Sequence, residues 1–241
     1  MIAEEISQAV YNGLPAEQRL KLALYSDFGD EAKIIYDWLT THNEVVSAPH
    51  EPITAQTLSS DGVYYLYEDG TSELFDYNKA NSPTKPVKRI GVVMGNHSLA
   101  INLNDYPEQP LTNQKDPGTT PLLQDPGNYT GYIKEYDNAV ADWGGKKNTE
   151  HIRAIGTGIE LKDDEWIPSV AELYLIYLNK RAINAAIALS NGEPLHDGWY
   201  WTSTEFSATR AWYLDLHDGC LYAWNDKVQS SGYVRAVAAF H

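Results

Sequence analysis

The chain reads as an α+β fold: helices first, then antiparallel strand-and-turn structure, a helical interlude, and strands again to the end. Three observations carry this. Apolar residues recur at helical spacing up to about residue 45, and alternation around Asp-Gly and Gly-Asn turns begins near residue 60. The final strands have no helix between them, so antiparallel pairing is expected throughout, since parallel neighbours need a long crossover.

Residues 1–50 hold short helices: Ile6, Ala9 and Val10 on one face, then Pro15 opening PAEQRLKLALY, then Ile34, Ile35, Trp38 and Leu39 in DEAKIIYDWL. Alone they bury too little apolar surface, and they are expected to pack on the rest of the chain or to serve assembly and docking. SAPHEP, with prolines at 49 and 52, marks the boundary to a second domain over 51–241.

In that domain GVYYLYEDGTSELF alternates around Asp69-Gly70 as a hairpin, and RIGVVMGNHSLAINL reads as two buried strands around Gly95-Asn96. Residues 104–131 contain five prolines and are expected to form a long surface loop without regular elements. Helix returns at IPSVAELYLIYLNKRAINAAIAL, where Ser169 and Glu172 fit a capping box, and Asn179-Lys180 splits it in two. GWYWTSTEF, RAWYLDLHDGCLYAWND and GYVRAVAAF are strands.

Composition excludes several functions. With 18 Lys+Arg against 33 Asp+Glu, the net charge of −15 repels nucleic acid and anionic membrane surfaces. A single cysteine rules out an intrachain disulfide and a multi-cysteine zinc site. The acidic N-terminus is unlike a secretory signal and no segment approaches a membrane span, so the expectation is synthesis in the cytoplasm without membrane insertion. The sequons at Asn96 and Asn128 then carry no glycan. The 17 Tyr and 7 Trp, concentrated towards the C-terminal end, point to a recognition surface.

YLDLHDGCLYAWNDKV, residues 213–228, can be folded about Asp218-Gly219 as a two-residue turn. His217 then faces Cys220, Leu216 faces Leu221, Asp215 faces Tyr222, Leu214 faces Ala223 and Tyr213 faces Trp224. Trp212, Leu214, Leu216, Leu221 and Ala223 point to a core, whereas Tyr213, Asp215, His217, Cys220, Tyr222 and Trp224 share the opposite face. Three readings are open for that face: a solvated surface, a binding patch, or a layer covered by more protein. Large aromatics beside Asp and His favour the binding patch.

Other motifs carry less. His196-Asp197 and His217-Asp218 are spaced as metal-ligand pairs, but each Asp precedes Gly and is explained by its turn, so no metal is expected. Asp163-Asp164-Glu165 reads as a solvated loop, and Gly156-Thr157-Gly158 lacks the lysine of a phosphate loop. Cys220 has no evident base apart from His217 across the turn, a nucleophilic pair that is the alternative there, and no constellation argues for catalysis. Neither catalysis nor a cofactor is expected.

WIPSVAELYLIYLNKRAINAAIAL, WYWTSTEFSATRAWYLDL and GYVRAV together resemble the C-type-lectin-fold variable proteins of diversity-generating retroelements in gut Bacteroidetes and phages, over about residues 60–241. The resemblance implies a constant frame of Trp201, Ser203, Thr204, Glu205, Ala211, Trp212, Leu214, Gly219, Tyr233, Val234 and Arg235. It implies variable, ligand-binding positions at Phe206, Arg210, Asp215, His217, Cys220, Tyr222, Trp224, Asp226, Val228 and Gln229, rewritten by mutagenic reverse transcription at template adenines, with both the variable and the fixed reading open for Asp215, Asp218 and Asp226; Tyr213 joins them from the alternation. Trp224-Asn225-Asp226 spells a triplet of calcium-dependent lectins, but Glu193-Pro194-Leu195 replaces its companion and lectin disulfides are missing, so calcium is not implied. The cysteine pair of formylglycine-generating enzymes is also missing. The implied function is non-catalytic binding of a cell-surface protein or glycan receptor by an oligomer on a phage tail, with residues 1–50 docking to other tail or display proteins. A carbohydrate-binding module is the alternative, and a Cys/His hydrolase the more distant one.

Overall fold

The computed structural model describes residues 60–116 and 131–240. The chain divides into two compact units, Met1–Asp61 and Gly62–His241, and the second carries everything below. The expected helical segment over 1–50 lies outside the described residues, as does the 117–130 half of the proline-rich stretch.

Gly62–Tyr67 (β1) turns back into Ser72–Leu74 (β2), with Gly70 at φ 81° relieving the left-handed turn position. Val87–Met94 (β3) and His97–Asn102 (β4) close on the Gly95-Asn96 turn, pairing Met94 with His97 as the sequence implied. These strands and Val237–Ala238 (β10) make an antiparallel sheet in the order β10-β4-β3-β1-β2. A second sheet has the order β5-β9-β6-β7-β8, from Tyr106–Gln109 (β5), Trp199–Glu205 (β6), Ala211–Asp215 (β7), Leu221–Tyr222 (β8) and Gly232–Val234 (β9).

The strands depart from the expected pattern in two places. The proline-rich stretch is not wholly irregular: β5 forms inside it, and Pro107 is tolerated because β5 is an edge strand whose register shifts between Tyr106 and Gln109. Pairing is not antiparallel throughout either, because β9 meets β6 in parallel at Tyr200 and Tyr233. The segment GYVRAVAAF makes this possible by dividing into β9 and β10, one strand in each sheet.

The break between those strands is fixed by Arg235. Fully buried, it donates to the carboxylate of Asp105 and to the carbonyls of Asn102 (3.0 Å) and Glu193 (2.8 Å). Five guanidinium donors in a rigid fork suit three acceptors from separate segments, which a lysine would not.

Four helices are described, two more than the sequence reading placed within residues 51–241: Tyr136–Val140 (α1), Gly145–Ile155 (α2), Val170–Leu178 (α3) and Lys180–Leu189 (α4). The Ser169–Glu172 capping box is formed at the start of α3, and Asn179 separates α3 from α4. Helix α3 buries Leu173, Leu175 and Ile176, and α4 buries Ile183, Ala186 and Ile187 against β1, β3 and β4. Tyr200, Leu214 and Leu216 join that core from the second sheet. A smaller core of Leu111, Ile152, Ile167, Trp201, Tyr213 and Val234 lies on the other side of β6 and β7. Both faces of these strands are therefore largely covered, so the alternation in β7 separates two cores rather than core from solvent.

Candidate functional site

The hairpin of β7 and β8 keeps its predicted faces but not its predicted register. Tyr213 pairs with Tyr222 and Leu214 with Leu221, two residues away from the expected partners. Leu216 causes the difference. It is buried in the main core, and its N–H is held by the Gly198 carbonyl at 2.9 Å, so it extends the contact with β6 and cannot face Leu221. The loop becomes Leu216–Gly219, closed by the Gly219 N–H on the Asp215 carbonyl (2.8 Å), with Gly219 at φ 77°. A slip of two residues preserves which face each side chain takes.

Tyr213 is the main departure from an open face: it is 3% exposed, and its hydroxyl donates to the Ser231 carbonyl. A Cβ at Gly232 would stand 2.2 Å from that hydroxyl, which is why the backbone there carries no side chain. Trp199, a residue the sequence reading left out, lies parallel on Tyr213 (ring centroids 5.4 Å, 10°) and edge-on to Tyr222 (5.1 Å, 69°). Trp199 is 37% exposed and Tyr222 43%, so the three rings form an amphipathic step at the sheet surface. The signal was present in the sequence: Trp199 lies two residues before Trp201 and shares its strand face.

Trp224 leaves the ladder and is 73% exposed, with the Arg210 guanidinium 5.5 Å from its ring centroid. Arg210 also makes a β-bridge to Asp226. Around these rings the acids serve the backbone. Asp215 accepts from the N–H of His217 (2.8 Å), Asp218 from Cys220 (2.9 Å), and Asp226 from Val228 (2.9 Å) and Gln229 (3.1 Å). His217, Cys220 and Gln229 are exposed, while Asp215, Arg210, Asp226 and Val228 are half-buried. Phe206 sits apart from the Trp199 step, half-buried and edge-on to Trp212, whose side chain leaves β7 opposite to that of Tyr213.

The chemistry at Cys220 runs against a nucleophile. Partial burial and the Asp218 carboxylate both push its thiol up from its ordinary range, whereas a nucleophilic cysteine needs a lowered value. His196 stacks on Tyr233 at 4.5 Å with Nε2 3.1 Å from Glu193, and Asp197 pairs with Lys180. Asp163-Asp164-Glu165 is not simply solvated: Arg89 takes Asp164 in two hydrogen bonds (2.7 and 3.1 Å), and Glu165 is buried among Arg89, Asn102 and Tyr106. A cleft of about 290 Å³ beside Lys88, Arg89, Asn102, Asn104 and Tyr106 has much of its polar floor occupied by these bonds.

Sequence reasoning also missed a buried charged network beneath the site. Glu205, at the end of β6, contacts Lys227 and His151, while His151 Nε2 stands 3.3 Å from Asp116, which accepts from Tyr132. Burial alone would raise the Glu205 carboxyl, but His151 and Lys227 outweigh it and hold the value below the ordinary range. Asp116, His151 and Glu205 bring donor atoms within 4.8 Å of one another, a set that suits a divalent cation in type. The Lys227 ammonium already holds one Glu205 oxygen and supplies the positive charge a cation would bring, so the arrangement is read as an ion network. These residues lie far apart in sequence, and no local motif announces them.

Fold and site together define an α+β protein of two sheets and a helical layer that exposes aromatic side chains at one sheet surface. Among the described residues no helix is long and apolar enough to cross a membrane. No family model and no curated protein matches the chain. A fimbrial protein of Bacteroides ovatus ATCC 8483 is similar in structure, with a TM-score of 0.53 and 15% sequence identity over 76% of this chain. The chain covers 49% of that protein's length, and at this identity the likeness speaks for the fold alone.

Proposed function

We propose that the protein is a non-catalytic receptor-binding module with a C-type-lectin-like frame, whose C-terminal surface is diversified by mutagenic reverse transcription and displayed on a phage tail or comparable surface structure. The observation that carries this reading is the exposure of Trp224 beside Arg210, with Trp199 and Tyr222 on the same sheet, over a frame buried on both faces. Rigid aromatic rings with polar neighbours provide contact area at low entropic cost. Retroelement origin rests on the sequence resemblance; display on an appendage is compatible with a structural neighbour that is named a fimbrial protein. Several copies assembled through residues 1–50 would turn weak single contacts into useful avidity.

The test of origin is genomic. A reverse transcriptase gene should lie nearby, with a near-copy of the segment encoding 206–235 that differs at adenines; differences spread over all bases refute the proposal. The second reading, a carbohydrate-binding module, is favoured by the same Trp and Tyr rings. On a glycan array it requires selective, aromatic-dependent binding shared by chains with different 206–229 segments.

A further inference from the structure

We infer that the binding face is divided between backbone-holding carboxylates and interchangeable side chains: Asp215, Asp218 and Asp226 belong to the frame, and specificity is set by Arg210, His217, Cys220, Tyr222, Trp224 and Gln229. This rests on the binding reading above. It also moves Asp215 and Asp226, which the resemblance groups with the variable positions, into the frame.

The division follows from what each side chain touches. Asp215, Asp218 and Asp226 each accept from an N–H two residues ahead, and Asp226 accepts a second from Gln229. A carboxylate in this position replaces a turn hydrogen bond that few other side chains supply. Among the described residues, no side chain of the six specificity positions hydrogen-bonds the backbone; they meet other side chains or solvent. Their replacement leaves the backbone bonds in place.

The turn is also gripped from outside, again through its backbone. The Tyr174 hydroxyl, from α3, donates to the Gly219 carbonyl at 3.0 Å, and Lys180 Nζ, from α4, donates to the Leu216 carbonyl at 2.5 Å. These are the two ends of the loop. Because both clamps seize carbonyls, they are indifferent to the side chains at 217 and 220. Tyr174 and Lys180 are thus positioning residues for a surface whose content can change while its path does not.

The experiment uses the full chain. Tyr174→Phe, Lys180→Met and each of Asp215→Ala, Asp218→Ala and Asp226→Ala are compared by amide hydrogen exchange. The turn variants should exchange about tenfold faster over 216–220, and Asp226→Ala over 228–229, with β3 and β4 unchanged. A library randomised at the six specificity positions should keep most members protease-resistant, and one randomised at the three aspartates should lose most. Unchanged exchange in the aspartate variants, or general unfolding of the six-position library, overturns the division. Panning the folded library against lysozyme, streptavidin and immobilised maltoheptaose separates the two levels. Binders support both, whereas a folded library with no binders keeps the division and overturns the binding function.

Discussion

Glu172 offers a measurement of how far the frame departs from water. Its carboxyl is buried at the start of α3, where one oxygen accepts from the Ser169 N–H (2.9 Å) and from the Trp166 indole (3.1 Å). Burial is the largest influence and pushes its pKa from 4.5 up to about 8; the two hydrogen bonds oppose this, and nearby Asp142 adds to it. Between those values the folded chain keeps a proton that the unfolded chain releases, so this contribution to stability is complete below 4.5 and is lost as pH rises towards 8. At about 1.4 kcal/mol per pH unit, the loss between about pH 5 and about pH 7.5 is about 3 kcal/mol. Glu172→Gln keeps the accepting oxygen and removes the ionisation. Urea unfolding of both proteins across this range should show the stability difference moving by about that amount in favour of the variant as pH rises. Asp142, itself raised by burial, is common to both proteins. A difference that stays flat to within about 0.5 kcal/mol would refute the reasoning, because Glu172 would then ionise as it does in water.

Three further outcomes are expected. Glu205→Ala should cost about 3–5 kcal/mol by leaving Lys227 and His151 buried without their carboxylate, whereas the double change Glu205→Gln with Lys227→Met should cost clearly less; a double-mutant cycle in urea reads the difference. Trp224→Ala should leave stability within about 0.5 kcal/mol while abolishing capture of any ligand selected on this face, and Trp199→Ala should cost about 1 kcal/mol more because its ring stacks on Tyr213; thermal melts beside a binding assay check both.

Much of this was legible in the residues because it depends on neighbours in sequence. The Gly95-Asn96 turn, the Ser169–Glu172 cap and the break at Asn179 are local events, and each formed where its residue types implied. The hairpin of 213–222 was legible in its alternation but not in its register. Asp218-Gly219 looks like a complete turn on its own, and only the commitment of Leu216 to the core and to Gly198 lengthens the loop. Tyr213 was misplaced for a related reason. Alternation tells which side of a strand a residue takes, and gives no information on whether another layer covers that side.

Spacing and local backbone chemistry suffice for the α+β character, the helix caps and turns, and the parity that sorts the C-terminal hairpin into two faces. Long-range packing sets the rest: the parallel contact of β6 with β9, the closure of both faces of β7, the joining of Glu205, Lys227, His151 and Asp116, and the emergence of Trp199 and Trp224 at the surface. These depend on which distant segments meet, and a buried charge or an exposed ring is defined by its surroundings rather than by its place in the chain.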